Sequence, residues 1–522
     1  MNADLILSNL VALTPHPATR GRGAGLIAIR DGRILHVGDR SDHAALTGPH
    51  TRVVDCQGAT VVAGFNDAHC HPVAFAMTTR YVDCSPARID SIPDLIDILR
   101  GRAARLPAGK WLRAANYDPT ALAEQRPPNR WELDRASPMH PVILVERAGQ
   151  HCVLNSRALA LCGIDEATGP SDAGAIGRDP ASGLVNGVVS GNHAQVAASI
   201  PPLARDEIDA GLHEANRLFL QSGITSLQDT SWSNTPAHWH AMADYKRRGL
   251  LAPRVSFFVG ADAVSAFAAE GWRTGSLHPD CERNALRIGA AKIALDESTG
   301  NPRPPQALLD ATALAAHRAG FQLAFHVPDV ALLDRSLNAL AYLRERGAAF
   351  RWRPRFEHCP ACPAEWLDRL AASGATVVAQ PALLPLAVPA WHEHEHDPGE
   401  PSLALFPFRS FLRHGIPLAF GSDAPLGGCA PLDGLKAAVT RRDEAGRALA
   451  VDEAISVSEA WRCYTRGGAC AAGEDDVMGA LVTGHRADLA VVAGAGEWAD
   501  AGDLERAGVV MTLIDGKIAW AL

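Results

Sequence analysis

From Gly223 onward the chain alternates short apolar runs with stretches of helical periodicity. The runs are "GITSLQDTS", "PRVSFFVG", "RIGAAKIAL", "FQLAFHVPD", "RPRFEHCP", "ATVVAQPA" and "IPLAFGSDAP"; with "ATVVAGFNDAHCH" upstream they make eight. Parallel strands need long crossover connections, which helices supply, so this alternation predicts an α/β chain with a parallel sheet. Eight such repeats close into a (β/α)8 TIM-like barrel, whose functional side chains gather at the C-terminal ends of the strands. The barrel takes ~250 residues, and the chain has 522. Residues 73–203 therefore read as a large insertion after the first barrel strand, covering the active site, with the barrel at 61–72 plus 204–479.

The two ends share a different texture. "LILSNLVALT", "GLIAIRDGRILHVGD" and "TRVVDCQGATVVAG" at the start match "ADLAVVAG" and "VVMTLIDGKIAWAL" at the finish. Asp31-Gly32 and Asp515-Gly516, each between apolar runs, are hairpin signals. We expect residues 1–60 and 480–522 to pair as one small composite β-sandwich.

Composition excludes several classes of partner. At 47% hydrophobic and 20% charged the chain can build large cores. A net charge of -9 with no basic run argues against a nucleic-acid binder. Asp4 precedes the first apolar run and no Lys or Arg does, unlike a secretory signal, and no uncharged run approaches a membrane span. The eleven cysteines are irregularly spaced, as suits reduced thiols in a cytoplasm. Cys359 and Cys362 have redox or zinc-knuckle spacing but lack a second such pair, so packing is the expected role.

Polar residues stand at the strand ends. His69 and His71 close strand one, Lys292 lies in strand four, His326 ends strand five, His358 strand six, and Asp423 strand eight. Residues i and i+2 of a strand share a face, so the two histidines point together and Cys70 points away into the barrel–helix layer. A buried imidazole or charge needs a partner. Six of them converging on one rim suit zinc or a similar divalent ion holding an activated water. Lys292, being cationic, cannot ligate a metal as it stands. It is either a buried lysine paired to Asp296 or Glu297, or an amine carboxylated by CO2 into an anionic bridge between two ions. Asp423 would move the proton between water and leaving group.

Two further clusters stand out. His392, His394 and His396 in "WHEHEHDPGE" could form a metal claw, though Pro and Gly beside them favour a solvated loop. Asn116, Tyr117 and Asp118 are turn-forming residues that could face the site.

His69-Cys70-His71 after "GFNDA", Lys292, "FH" at His326, "FEH" at His358 and "GSDAP" around Asp423 resemble the amidohydrolase superfamily. More narrowly, "HPVILVERAGQHCVLNSRAL", "ASGLVNGVV", "VVAQPALL" and "SEAWRCYTRGGA…GHRADLAVV" resemble its YtcJ-like branch, which includes N-substituted formamide deformylase. The resemblance spans nearly the whole chain. It implies that His69, His71 and Asp423 hold one metal, that His326 and His358 hold a second, and that carboxylated Lys292 bridges them. It also supports a substrate contact from His151; Asp118 and Gln380 are further candidates for substrate contact. Two departures lie near the second metal: Asp296 is followed by Glu297 rather than Gly, and "HVPDVALLDR" lacks the branch's Gly and Arg around Asp329.

The expected activity is metal-dependent hydrolysis of a non-peptide C–N bond in a small molecule, an amide, N-acyl or N-formyl group. The ion would be zinc or similar, with two per chain favoured over one. The chain is expected to be a cytoplasmic homo-oligomer, a dimer. A one-metal deaminase is the competing enzyme; it would want a Glu three residues after His326, where Asp329 stands. A non-catalytic binding barrel is the third reading, which retention of all six candidate ligands disfavours.

Overall fold

The computed structural model describes residues 2–13, 25–147, 149, 151–169, 175–191, 193–281, 285–294, 305–386, 404–443, 446–494, 498 and 501–522. The chain divides into two compact units. The first contains Met1–Pro72, His213–Leu295 and Pro304–Leu522; the second contains Val73–Leu212.

Eight parallel strands form the centre of the first unit: β1 (Phe65–Cys70), β2 (Ile224–Asp229), β3 (Arg254–Gly260), β4 (Leu286–Ile293), β5 (Gln322–Val327), β6 (Arg355–His358), β7 (Thr376–Ala379) and β8 (Leu418–Phe420). They neighbour one another in chain order. Every residue of β1 to β4 is buried, as expected when helices cover one side of a parallel sheet and side chains fill the other. All eight expected strands are present. The ring closes where β8 meets β1: Asp423 N donates to His69 O at 2.7 Å, and His71 N to Ala424 O at 2.9 Å. Gly421 permits this approach, because a Cβ there would lie 2.4 Å from His69 N.

The first expected strand is two. Thr60–Ala63 pairs antiparallel with Leu489–Ala493, while β1 pairs with β2. The chain crosses between the sheets at Gly64, where a Cβ would stand 2.3 Å from the Thr225 side chain. The apolar run of "TVVAGF" hides the break, because both halves are buried on both faces.

The chain ends build two small sheets. One holds Leu5–Ser8, Leu26–Arg30, Arg33–Gly38 and Arg52–Asp55; the other holds Val11–Ala12, Thr60–Ala63, Leu489–Ala493, Gly508–Ile514 and Lys517–Ala521. Their apolar residues, among them Leu7, Ile27, Val61, Leu489 and Leu513, share one cluster. Asp31, Gly32, Asp515 and Gly516 all take positive φ, as tight hairpin turns demand. Arg254 at the start of β3 ties these sheets to the barrel, its Nε donating to Asp488 Oδ2 at 2.6 Å and its Nη2 to Asp515.

The second unit is built on a six-stranded sheet, in spatial order Ala175–Arg178, Val185–Ser190, His151–Leu154, Val142–Glu146, Leu112–Tyr117, Val82–Asp83. Asn155 of the "NS" motif caps the helix Ser156–Leu161. Its amide is fully used: Oδ1 accepts from Val142 N and Ala158 N, each at 3.0 Å, and Nδ2 donates to Ser137 O and His140 O. No described helix is long and apolar enough to cross a membrane.

Barrel closure yields a test. Gly421→Ala should lower stability by roughly 1–3 kcal/mol, because backbone must shift to admit the methyl. Gly101→Ala, in the open interior of the helix Ile92–Ala103, should instead stabilise by about 0.5–1 kcal/mol. Denaturant unfolding of the two variants checks both signs.

Candidate metal centre

The six candidate residues converge at the C-terminal rim of the barrel as expected. His69 is 1% exposed, inside the ring, and His71 follows two residues later on the same side. Both Nε2 atoms face one carboxylate oxygen: Asp423 Oδ1 is 3.2 Å from His71 and 3.5 Å from His69. The His358 ring lies 4.7 Å from that of His69 and 4.6 Å from that of His326. Ligand atoms of His69, His358 and Asp423 all fall within 4.8 Å of one another. Lys292 on β4 is buried beside this group and interacts electrostatically with Glu357 and Asp423. Cys70 points the other way, its Sγ against Gln228 O.

Two of these side chains reach the rim only because the backbone turns left-handed beneath them. Arg355 and Glu357 alternate into the barrel interior, so a regular strand would send His358 outward. Its φ of 75° turns it back in, and Asp423 sits at φ 57°. Non-glycine residues rarely take such values, and functional sites are where that strain is stored.

The hydrogen bonds define which nitrogens carry protons. His69 Nδ1 is 2.6 Å from Glu357 Oε2, and a carboxylate only accepts, so Nδ1 is the N–H. His71 Nδ1 is 3.0 Å from Ser231 Oγ, whose own hydrogen goes to Asp229 Oδ1 at 2.6 Å; again Nδ1 donates. His358 Nδ1 is 2.9 Å from Gln380 Oε1, with the amide oriented by Nε2 donating to Val378 O at 3.1 Å. All three rings therefore present a bare Nε2. His326 makes no hydrogen bond to any described residue.

Burial pushes His69 well below its ordinary pKa, with Lys292 adding to the effect, and burial carries His326 down to about 2. His358 is lowered for the same reason. These imidazoles are neutral. Burial raises Asp423, but contact with His71 and the fields of His69 and His358 outweigh it, leaving the carboxyl well below the usual range. With the ring protons drawn to Nδ1, a divalent cation would satisfy the lone pairs that His69 Nε2, His71 Nε2 and Asp423 Oδ1 turn toward one another. Imidazole nitrogen with carboxylate oxygen is a donor set for zinc and similar divalent ions. The residues fit the group.

Burial also brings the Lys292 ammonium down to about 8. Its sequence-suggested partners Asp296 and Glu297 lie outside the described residues, as does the His392–His396 loop; among the described residues Lys292 makes no ion pair.

The structure places the remaining candidates as follows. Gln380, taken as a substrate contact, is buried and spends its amide orienting His358. Asp329 is the N-cap of the helix Val330–Glu345, accepting from Leu332 N at 2.8 Å. Asp118 in the second unit closes a turn on Thr120 N and Oγ1, at 2.9 and 2.7 Å. Asn116, with φ 73°, donates to Asp83 Oδ1. His151 pairs with Glu146 Oε2 at 2.7 Å and stays partly exposed. Cys359 and Cys362 are buried free thiols whose pKa values burial raises, as unreactive packing groups.

Sequence reasoning passed over Glu357, Asp67 and Ser231. Asp67 accepts from Ser422 N and Oγ at 2.8 and 2.6 Å and from His69 N, pinning β1 to the loop after β8; burial raises it to about 7. A charged residue inside an apolar run was the available signal. Asp67 in "FND" and Glu357 in "FEH" carry that signal, and Ser231 carries none.

A family model described as "Amidohydrolase family" matches residues 52–519. N-substituted formamide deformylase of Arthrobacter pascens is 28% identical over 99% of this chain and 98% of its own length. The putative amidohydrolase YtcJ of Bacillus subtilis (strain 168) is 24% identical over 90% of this chain and 91% of its own. Among solved structures, an uncharacterized metal-dependent hydrolase from Pyrococcus horikoshii OT3 superposes with a TM-score of 0.71 at 20% identity, covering 94% of this chain and 97% of its own. Atrazine chlorohydrolase TrzN from Arthrobacter aurescens TC1, complexed with zinc, gives 0.56 at 17%, over 98% and 94%. The chain belongs to the amidohydrolase family. It is a hydrolase acting on carbon–nitrogen bonds other than peptide bonds.

Ser231→Ala removes the acceptor that fixes His71 without touching the barrel core. Loss of such a partner weakens metal binding ~10–100-fold. Dialysis against a graded chelator should strip the variant well before the wild type, with unchanged unfolding.

Proposed function

We propose that this chain hydrolyses an amide, N-acyl or N-formyl group of a small molecule to a carboxylic acid and an amine. The observation that carries the reading is the convergence of three bare imidazole nitrogens and one ionised carboxylate in a buried rim. A divalent ion bound there, zinc or similar, would polarise the scissile carbonyl and acidify a water.

His69, His71 and Asp423 would hold one ion and His326 with His358 a second; His326, a largely buried ring with no hydrogen bond among the described residues, supports the second. A lysine brought down to about 8 has a reactive neutral fraction near neutral pH, which CO2 carboxylation needs. Carboxylated Lys292 would replace a cation with an anion between the two sets. Asp423 Oδ2, the oxygen not turned toward His69 and His71, would then take a proton from the water as the water oxygen attacks the carbonyl carbon. The same oxygen returns the proton to nitrogen as the C–N bond breaks, so the amine leaves neutral. The similarity to a deformylase of N-substituted formamides favours an N-formyl group.

Screening N-formyl, N-acetyl and longer N-acyl amides and carbamates, with metal measured on the same preparation, tests the reading. Turnover should fall with chelation and return with zinc; full activity in metal-free protein would overturn it. Asp423→Asn keeps shape and one ligating oxygen but cannot carry the proton. It should bind substrate and retain most of its metal, yet turn over at least ~100-fold more slowly. Lys292→Ala should be inactive and partly rescued by short carboxylic acids, whereas Lys292→Arg should not be rescued.

A further inference from the structure

Inside the barrel, against the strand-one histidine, lies a fully buried guanidinium. Arg355 on β6 is 0% exposed and reaches across the interior to two other strands. Its Nε donates to Glu357 Oε1 at 2.7 Å and its Nη2 to Glu357 Oε2 at 3.2 Å. Nη2 also donates to Ala68 O on β1 at 2.8 Å, and Nη1 to Gln228 Oε1 on β2. Gln228 is itself oriented, its Nε2 donating to Asn66 Oδ1 and Gly468 O, each at 2.8 Å. The Phe258 ring lies under the guanidinium at 4.7 Å.

These contacts grip His69 from two directions. The backbone carbonyl preceding it is held by Arg355, and its Nδ1–H is held by Glu357 Oε2. With Glu357 Oε1 facing Arg355 and Oε2 shared between Arg355 and His69, no free rotor remains. Flipping the imidazole would set a C–H against a buried carboxylate and forfeit a charge-assisted hydrogen bond, among the strongest a side chain makes. A buried carboxylate paired to a buried guanidinium also has no cheap alternative arrangement.

We propose that Arg355 and Glu357 are positioning residues: they lock His69 as the Nδ1–H tautomer and so set the affinity of the centre for its ion. The inference rests on the metal-dependent reading for its affinity half; the tautomer half stands on the hydrogen bonds alone. It makes a specific prediction for Glu357→Gln. Arg355 has only donors, so it takes the new amide oxygen. The amide N–H₂ is then turned toward His69 Nδ1, which becomes an acceptor, and the ring proton moves to Nε2. There it opposes the metal.

The test uses the full chain stripped of metal. Imidazole ¹⁵N shifts of His69, assigned by its loss in His69→Gln, should report Nδ1–H in the wild type and Nε2–H in Glu357→Gln. Competition of Zn²⁺ against a chelator should show at least tenfold weaker binding in Glu357→Gln and in Arg355→Met, within the ~10–100-fold span expected when a ligand loses its support. A merely structural role would lower the unfolding midpoint without reversing the tautomer. Should either variant fail to fold, the wild-type spectrum still decides: an Nε2–H His69 there overturns the proposal. So does a folded Glu357→Gln that keeps Nδ1–H and wild-type Zn²⁺ affinity. A wild type that shows Nδ1–H but takes up no Zn²⁺ overturns the affinity half together with the hydrolase reading.

Discussion

Two hydrogen-bond acceptors face each other across 3.5 Å at the centre of this protein, His69 Nε2 and Asp423 Oδ1, with no proton between them. Left alone in a low-dielectric interior, that arrangement is repulsive. The remaining geometry exists to impose it. Glu357, Ser231 and Gln380 each draw a ring proton to Nδ1, and burial disfavours a second proton on His69 and His358. Only a cation reconciles these atoms, which is why a site built this way reads as a metal centre.

Imposing that repulsion needs a frame that cannot relax. The barrel supplies it by closing directly through the site: Asp423 N to His69 O and His71 N to Ala424 O are the bonds that join the last strand to the first. Asp67 adds two more contacts between the same segments, both from Ser422. Any motion separating Asp423 from the histidines would therefore open the ring. Of the two left-handed residues, Asp423 is held by that closure, and His358 sits where β6 meets β5, beside the bond from Cys359 N to Val327 O.

Much of this was legible before the fold. Eight apolar runs with helices between them point to a (β/α)8 barrel, the closed parallel sheet that eight such repeats build. Polar residues ending those runs must cluster, because the barrel brings all its strand ends to one rim. His69, His71, Lys292, His326, His358 and Asp423 followed from that rule. Less was legible where one residue has two plausible duties. Gln380 and Asp329 carry the right chemistry for substrate or proton work, and their hydrogen bonds show them occupied elsewhere. The division of "TVVAGFNDAHC" between two sheets was hidden because both halves are equally apolar.

The sequence by itself determined the strand count, the hairpins at Asp31-Gly32 and Asp515-Gly516, and the donor atoms available at the rim. These depend on local periodicity and on the chemistry of single side chains. Only the tertiary structure decided which nitrogen of each histidine is free. A tautomer is set by the partner on the ring's other side, and those partners come from distant positions: Glu357 lies 288 residues from His69, and Ser231 lies 160 from His71. It also decided that His358 faces inward, since one left-handed φ overrides the alternation a strand would impose. No local pattern encodes either fact, because each is fixed by atoms that meet only when the ring closes.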